Sequence, residues 1–188
     1  MNAEDIYSQS GRLEEGIFPT TIVSAKEQLI LKNDTVKEFG TPDYHKTPKQ
    51  TIDRIQLLLT VRQEGSPFET GMIINGTYPY TREDGTESKG TMWKVGNYYK
   101  FANITATEDN DAKYMDPSLL EGKVLDMLWY KNPSGYINPF DQPVTGNGRE
   151  RIIESLRWQF ENGKLHQDSI WNKEFQKESD PKDDDIPF

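Results

Sequence analysis

Along Thr51–Arg62 hydrophobic and polar side chains alternate with period two. Ile55, Leu57, Leu59 and Val61 fall on one side and Arg54, Gln56, Thr60 and Arg62 on the other, with Leu58 as an apolar exception on the polar side. A strand with one face in a core and the other in water carries this pattern. Upstream, Ile17–Lys32 is rich in β-branched residues and lacks a capping box, which predicts a long bent strand, with a helix after Ser24 as the alternative. Residues 33–50 hold Gly40, Pro42 and Pro48 among polar residues and read as a loop presenting Tyr44, Lys46 and Lys49. The turn Glu64–Pro67 leads to a third strand, Thr70–Thr81, whose apolar start gives way to Tyr78-Pro79-Tyr80. Pro79 has no N–H to donate and places that end at a sheet edge.

A polar loop follows, then Met92–Ala106, which fits either a short helix or extended chain because Gly96 weakens the helical pattern. Residues 107–118 form an acidic linker, Gly122–Tyr130 is a further strand, and Asn132-Pro133-Ser134-Gly135 turns it into Tyr136–Phe140 as a hairpin. Three strands, a connector and two more strands predict a mainly β chain built on an OB-fold. That fold is a five-stranded, partly open Greek-key barrel that binds oligonucleotides on the face of its second and third strands and on adjoining loops. Beyond Asp141, Gly146-Asn147-Gly148 separates the barrel from a helix at Arg149–Glu161, with Ile152, Ile153, Leu156 and Phe160 at helical spacing; Asp168–Lys177 groups Trp171 with Phe175. Both helices either pack back on the barrel, as apolar stripes usually do, or form an interface, with a partner or in a homo-oligomer. The expected organisation is a mobile arm over 1–16, a barrel over 17–141, a helical extension over 142–177 and an acidic tail over 178–188, too poor in apolar residues to offset the entropy of ordering.

Composition narrows the chemistry. The 188 residues suffice for one domain with appendages. There is no cysteine and there are two distant histidines, His45 and His166, so disulfides, thiolate chemistry and cysteine-containing zinc sites are excluded and no cofactor is expected. No apolar leader precedes the first polar residues and no run approaches the roughly 18 apolar residues of a membrane span, so a cytoplasmic protein without membrane contact is the expectation. No glycine-rich phosphate loop and no nucleophile–base pair points to an enzyme. Asp109, Asp111 and Asp116 could hold a nuclease metal, but they sit in an acidic linker where a solvated run is the commoner case.

A net charge of −9 opposes nucleic-acid binding if taken whole. The charge is segregated, however: residues 18–106 carry 11 Lys and Arg against 10 Asp and Glu, whereas residues 178–188 carry one Lys against five acids. A near-neutral body can bind a single strand through base stacking at about 1–3 kcal/mol per base beside a local basic groove, and nine Tyr and four Trp are present. The polar side of the second strand, the end of the third and the neighbouring loops supply the candidates. Tyr78, Tyr80 and Trp93 would stack bases, Arg54, Arg62, Lys46 and Lys49 would meet phosphates, and Gln56 and Tyr44 would assist. Each aromatic could instead be a core or edge residue; Trp129 is more a core residue than a stacking one.

The chain ends in Asp183-Asp184-Asp185-Ile186-Pro187-Phe188: three carboxylates, two apolar residues around a stiffening proline, and a terminal carboxylate. Capture of a terminal ring and carboxylate in a pocket is a known recognition mode, while a charge run taken alone reads as a solubilising tail. The order of residues resembles the acidic tip of bacterial single-stranded DNA-binding proteins of the SSB family, and phage-encoded counterparts carry similar tips. Gly122-Lys123-Val124 and Tyr136-Ile137-Asn138 are also loosely similar to small phage-encoded OB-type binders. The opening residues depart from the bacterial SSB barrel, so neither its tetramer nor its stacking positions carry over. The resemblance implies a protein that coats and protects single-stranded DNA in replication, recombination and repair. It further implies that Asp183, Asp184, Asp185, Ile186, Pro187 and Phe188 recruit processing enzymes, and the tail carboxylates would compete with DNA for the same basic groove. An adaptor or inhibitor that mimics the tip without binding DNA is the rival from another class.

Overall fold

The computed structural model describes residues 11–105 and 115–179. Residues 107–114 of the acidic linker, most of the N-terminal arm and the tip Asp183–Phe188 lie outside the described residues.

The long first strand, β1 (Gly16–Leu31), organises the barrel. It pairs antiparallel along its length with β3 (Ile52–Gln63), while its other edge is divided. Gly16–Thr21 pairs with β7 (Val124–Lys131) and Gln28–Ile30 with the short β2 (Val36–Glu38). A register shift between Ile22 and Ser24 marks a bulge. One extra residue there bends a strand and increases its twist, which turns the two halves of β1 toward different partners. β4 (Glu69–Gly76) pairs with β3, and β8 (Ile137–Pro139) pairs with β7, giving the order β4-β3-β1-β7-β8. Among the described residues no ladder joins β4 to β8, so this is a nearly closed five-stranded antiparallel barrel of the OB-like type.

The alternation read from β3 holds residue by residue. Ile55, Leu57, Leu59 and Val61 are buried, and Arg54, Gln56, Leu58, Thr60 and Arg62 face outward. The interior also takes Ile22, Ile74, Leu125, Met127 and Trp129. Trp129 lies wholly inside and donates its indole N–H to Thr20 Oγ1 at 3.0 Å.

The ambiguous connector is a helix, α1 (Met92–Phe101). Val95, Tyr98, Tyr99 and Ala102 recur at helical spacing and all bury in the core, a gain that outweighs the roughly 1 kcal/mol propensity cost of Gly96. Gly76 lets the helix approach β4, because a Cβ there would lie 2.9 Å from Val95 Cγ2 and 3.3 Å from the Met92 backbone. The third strand is shorter than expected. It stops at Gly76, after which Thr77 accepts hydrogen bonds from Thr91 N and Met92 N (2.9 and 3.1 Å) in place of a ladder partner. Tyr80–Thr81 (β5) pairs with Glu87–Ser88 (β6) as a separate ribbon.

α2 (Arg149–Glu161) has the predicted bounds, and α3 spans Ile170–Ser179. Both pack back on the barrel. Leu128 points out of β7 and is covered by Phe140, Ile152, Leu156, Leu165, Trp171 and Phe175, with Ile17 and Tyr130 at the margin. Trp171 donates to the Trp129 carbonyl at 2.9 Å. The expectation of a free arm over residues 1–16 is corrected for residues 11–16, which are strapped down. Leu13 packs on the core, Glu14 exchanges hydrogen bonds with the Gln63 side chain (2.9 and 2.8 Å), and the Glu15 carboxylate accepts from Lys131 N (2.9 Å), Ser169 Oγ and Ile170 N (3.3 Å). Among the described residues no helix is long and apolar enough to cross a membrane.

Candidate nucleic-acid interface

α2 and α3 cover the outside of β7, whereas the outer face of β3 and β4 is open; beside it, Lys26 and Gln28 of the second half of β1 and Leu58 of β3 line a pocket whose other wall is Glu38, Phe39 and Asp116–Ser118. Register places the side chains of this face in rows. Gln28, Gln56 and Asn75 stand side by side, and the row is closed by Gln28 Nε2 donating to Gln56 Oε1 (2.8 Å) and Gln56 Nε2 donating to Asn75 Oδ1 (3.0 Å). The next row is Lys26, Leu58 and Ile73, with Ile73 55% exposed. An orientation-locked amide row beside an aliphatic row can donate to and accept from base edges and pack against sugar or base planes.

Arg54 and Arg62 stand on this face about 26 Å apart, given eight steps of roughly 3.3 Å along a strand. Arg54 is ion-paired with its neighbour Asp53, and Arg62 with Glu69 across the β3–β4 pair. All four side chains are substantially exposed. Surface pairs of this kind are worth about 0–1 kcal/mol, so a phosphate displaces either carboxylate at small cost.

At the end of the face where β1 and β4 finish, Lys32, Lys49, Tyr78 and Tyr80 line one cleft of about 440 Å³ with Asp53 in its wall. Lys49 Nζ lies 5.4 Å from the centroid of the Tyr78 ring, a cation–π distance. Tyr78 is half-buried against the cluster of Leu29, Tyr44, Ile52 and Ile55, whereas Tyr80 is 52% exposed. The structure therefore gathers Lys49, Tyr78 and Tyr80 in one cleft, places Arg54 near the same end of β3 and Gln56 further along in the amide row, and leaves Arg62 at the far end. Lys46 is exposed on the loop between β2 and β3. Trp93 is 52% exposed in the first turn of α1 and lines a different groove.

Tyr44 is a correction: it is fully buried and presents nothing to a ligand. Its hydroxyl donates to Glu27, a carboxylate buried inside the barrel, which also accepts from Tyr99 Oη at 3.1 Å. Phe39 and His45 pack edge-on against the Tyr44 ring at 5.2 and 5.3 Å. Burial first, and the Glu27 charge second, push the Tyr44 and Tyr99 hydroxyls far above their usual range, so both remain neutral donors. The trio pins the β2–β3 loop and α1 to β1 and forms the rear support of the cleft.

Three residues of the face escaped the sequence pattern. Gln28 and Asn75 needed the register to align them with Gln56, and Lys32 needed the path of β1 to bring it opposite Tyr78. Asp109 and Asp111 lie outside the described residues. Asp116 accepts from the Ser118 N–H (2.9 Å) and hydroxyl (2.7 Å) and so caps the 3₁₀ turn Pro117–Leu120. Among the described residues no group of three His, Asp or Glu side chains is placed to hold a metal ion. Comparison with protein-family models, with curated proteins and with solved structures finds no match for this chain, so its site is defined by its own residues alone.

Proposed function

We propose that this protein binds and protects single-stranded DNA during replication, recombination and repair, and that it offers Asp183–Phe188 to the enzymes that process those strands. The observation that supports this most is the open outer face of β3 and β4, flanked by the cleft of Lys32, Lys49, Tyr78 and Tyr80, on a barrel whose β7 side is roofed by helices. In OB-type barrels the corresponding strands and loops carry oligonucleotides. Tyr80 supplies a stacking plane, Lys32, Lys46 and Lys49 supply charge, and the Gln28–Gln56–Asn75 row supplies hydrogen bonds. The tip's resemblance to SSB-family tips supplies the partner class.

One observation favours the adaptor reading, in which the tip engages processing enzymes and the body binds no DNA. Arg54 and Arg62 are both ion-paired, in a chain of net charge −9. Titration of a fluorescent poly-dT oligonucleotide and of a duplex into the full-length protein, at low and moderate salt, separates the two. Saturable single-strand binding with little duplex affinity supports the single-strand binder; absence of binding at low salt leaves the adaptor.

A further inference from the structure

Two of the four tryptophans are more than half exposed, and both line the same groove. Trp93 (52%) projects from α1, whose Val95, Tyr98 and Tyr99 face the barrel, and Trp158 (58%) projects from α2, whose Ile152 and Leu156 face it. Neither ring has a core role, because each helix anchors through its opposite side. The groove between them encloses about 220 Å³ and is also lined by Arg151, Ser155, Gln142 and Asn147. The α1 wall is fixed to the Asp141-Gln142 segment: Lys94 bonds Asp141 at 2.7 Å, Tyr98 donates to the Asp141 carbonyl at 3.0 Å, and Asn97 donates to Gln142 at 2.9 Å.

We infer that this groove is a second station for single-stranded nucleic acid, at which bases stack on Trp93 and Trp158 and Arg151 meets the backbone phosphate. The inference rests on the proposed single-strand binding and extends that surface from the barrel onto the helical extension. Three observations select a nucleic acid as the occupant. First, the charge is complementary. The Lys94 ammonium neutralises Asp141, the one carboxylate in the lining, Arg151 is exposed, and Lys94 and Lys164 sit 5.9 and 5.4 Å from the Trp93 and Trp158 ring centroids. Glu150, Glu154 and Glu161 of α2 do not line the groove. Second, exposed aromatic planes flanked by cations and amides are what sequence-tolerant single-strand binding uses. Third, hydrogen bonds tie the segment that lines the cleft to the start of the helix that carries Trp93. Thr77 lines the Tyr78–Tyr80 cleft and its carbonyl accepts from Thr91 N and Met92 N, the residues that lead directly into Trp93. A strand bound at Tyr80 would reach the second pair of rings by running along this segment.

Tryptophan emission of the full-length protein, recorded during titration with dT oligonucleotides of increasing length, tests the inference. Trp129 and Trp171 are buried, so quenching reports Trp93 and Trp158. The expected result is quenching that grows once an oligonucleotide is long enough to leave the cleft. Trp158→Ala should then weaken long oligonucleotides about fivefold or more, the scale of one lost stack, and leave the shortest ones unaffected, while Trp158→Phe retains the affinity. Wild-type affinity of Trp158→Ala at every length overturns the inference, with binding itself still sensitive to Tyr80→Ala. Quenching by a synthetic Asp183–Phe188 peptide and not by oligonucleotides overturns it in favour of a peptide groove. If the wild-type protein binds no oligonucleotide at all, both this inference and the proposed function fall.

Discussion

Tyr80→Ala isolates stacking from folding better than any other substitution in the cleft. The Tyr80 ring is 52% exposed and belongs to a two-residue ribbon, so its removal empties no core space and should change stability by no more than about 0.5 kcal/mol. Tyr78 is different: it packs against Leu29, Tyr44, Ile52 and Ile55, and its truncation mixes lost stacking with lost packing. One base stacked on Tyr80 is worth about 1–3 kcal/mol, which corresponds to roughly a 5- to 150-fold rise in Kd. Fluorescence anisotropy with a labelled poly-dT strand at moderate salt measures this directly, and a thermal melt checks the fold. Tyr80→Phe should stay near wild type, since the plane and not the hydroxyl is at work, and the double variant Tyr78→Ala/Tyr80→Ala should lose at least about tenfold. A folded Tyr80→Ala protein with wild-type affinity would refute the placement of the stacking site in this cleft.

Removing one donor from the buried Glu27 is a test of the barrel's interior: Tyr44→Phe should cost about 1–3 kcal/mol and lower Tm by several degrees in calorimetry, with oligonucleotide affinity changing less than stability. Alkaline pH should unfold the protein through the same residues. Tyr44, Tyr98 and Tyr99 have folded-state values raised by burial, so above pH of about 10 the unfolded chain sheds protons that the native state keeps, and stability falls by about 1.4 kcal/mol per pH unit for each, read as a falling denaturation midpoint; a flat profile between pH 9 and 11 would contradict this. Deleting residues 178–188 should leave or raise single-strand affinity, most at low salt where five acids are least screened, and a clear loss of binding would count against tail–DNA competition. Glu69→Gln releases Arg62 and should strengthen binding by up to about fivefold and steepen the salt dependence by up to about 0.7 per phosphate gained, with an unchanged slope placing Arg62 off the path.

What could be read from the sequence depended on how local the cause was. Period-two alternation is enforced by the backbone itself, so β3 showed which of its side chains face inward without any knowledge of partners. Asn162-Gly163 marks the end of α2 in the sequence, while the start signal offered by Asn147 is displaced by one residue: Gly148 is the N-cap and the Asn147 side chain donates to the Pro143 carbonyl. Tyr44 was opaque, because its neighbours Asp43, His45 and Lys46 are those of a surface loop and its burial is decided by Glu27, 17 residues upstream. Glu27 itself breaks the rule that carboxylates stay in water, and only the meeting of two phenols from separate elements resolves it. The strap of residues 11–16 rests on Gln63, Lys131 and Ser169, partners 49 to 154 residues away. Trp158 did carry a local signal: it falls outside the Ile152–Ile153–Leu156–Phe160 stripe, and an aromatic ring off the buried stripe of a helix is exposed.

The electrostatics of the bare face fit a surface that holds a single strand by shape and stacking more than by charge. A duplex binder needs a dense array of cations at phosphate spacing, since counterion release supplies its non-specific affinity. Here Arg54 and Arg62 are each restrained by a carboxylate, and apart from Lys26 in the row of Leu58 and Ile73, Lys32 and Lys49 stand at one end of the face, in the cleft. A duplex laid across this face would find few of the phosphate contacts it requires, and its bases would remain stacked on one another, out of reach of Tyr80. A single strand loses less, because its exposed bases can use Tyr80, the amide row and the Leu58–Ile73 patch in addition to the lysines. On the proposed function, weak cationic character would act as discrimination, penalising the duplex more than the single strand, and the restrained arginines would meet a phosphate only where it comes close enough to compete with Asp53 or Glu69.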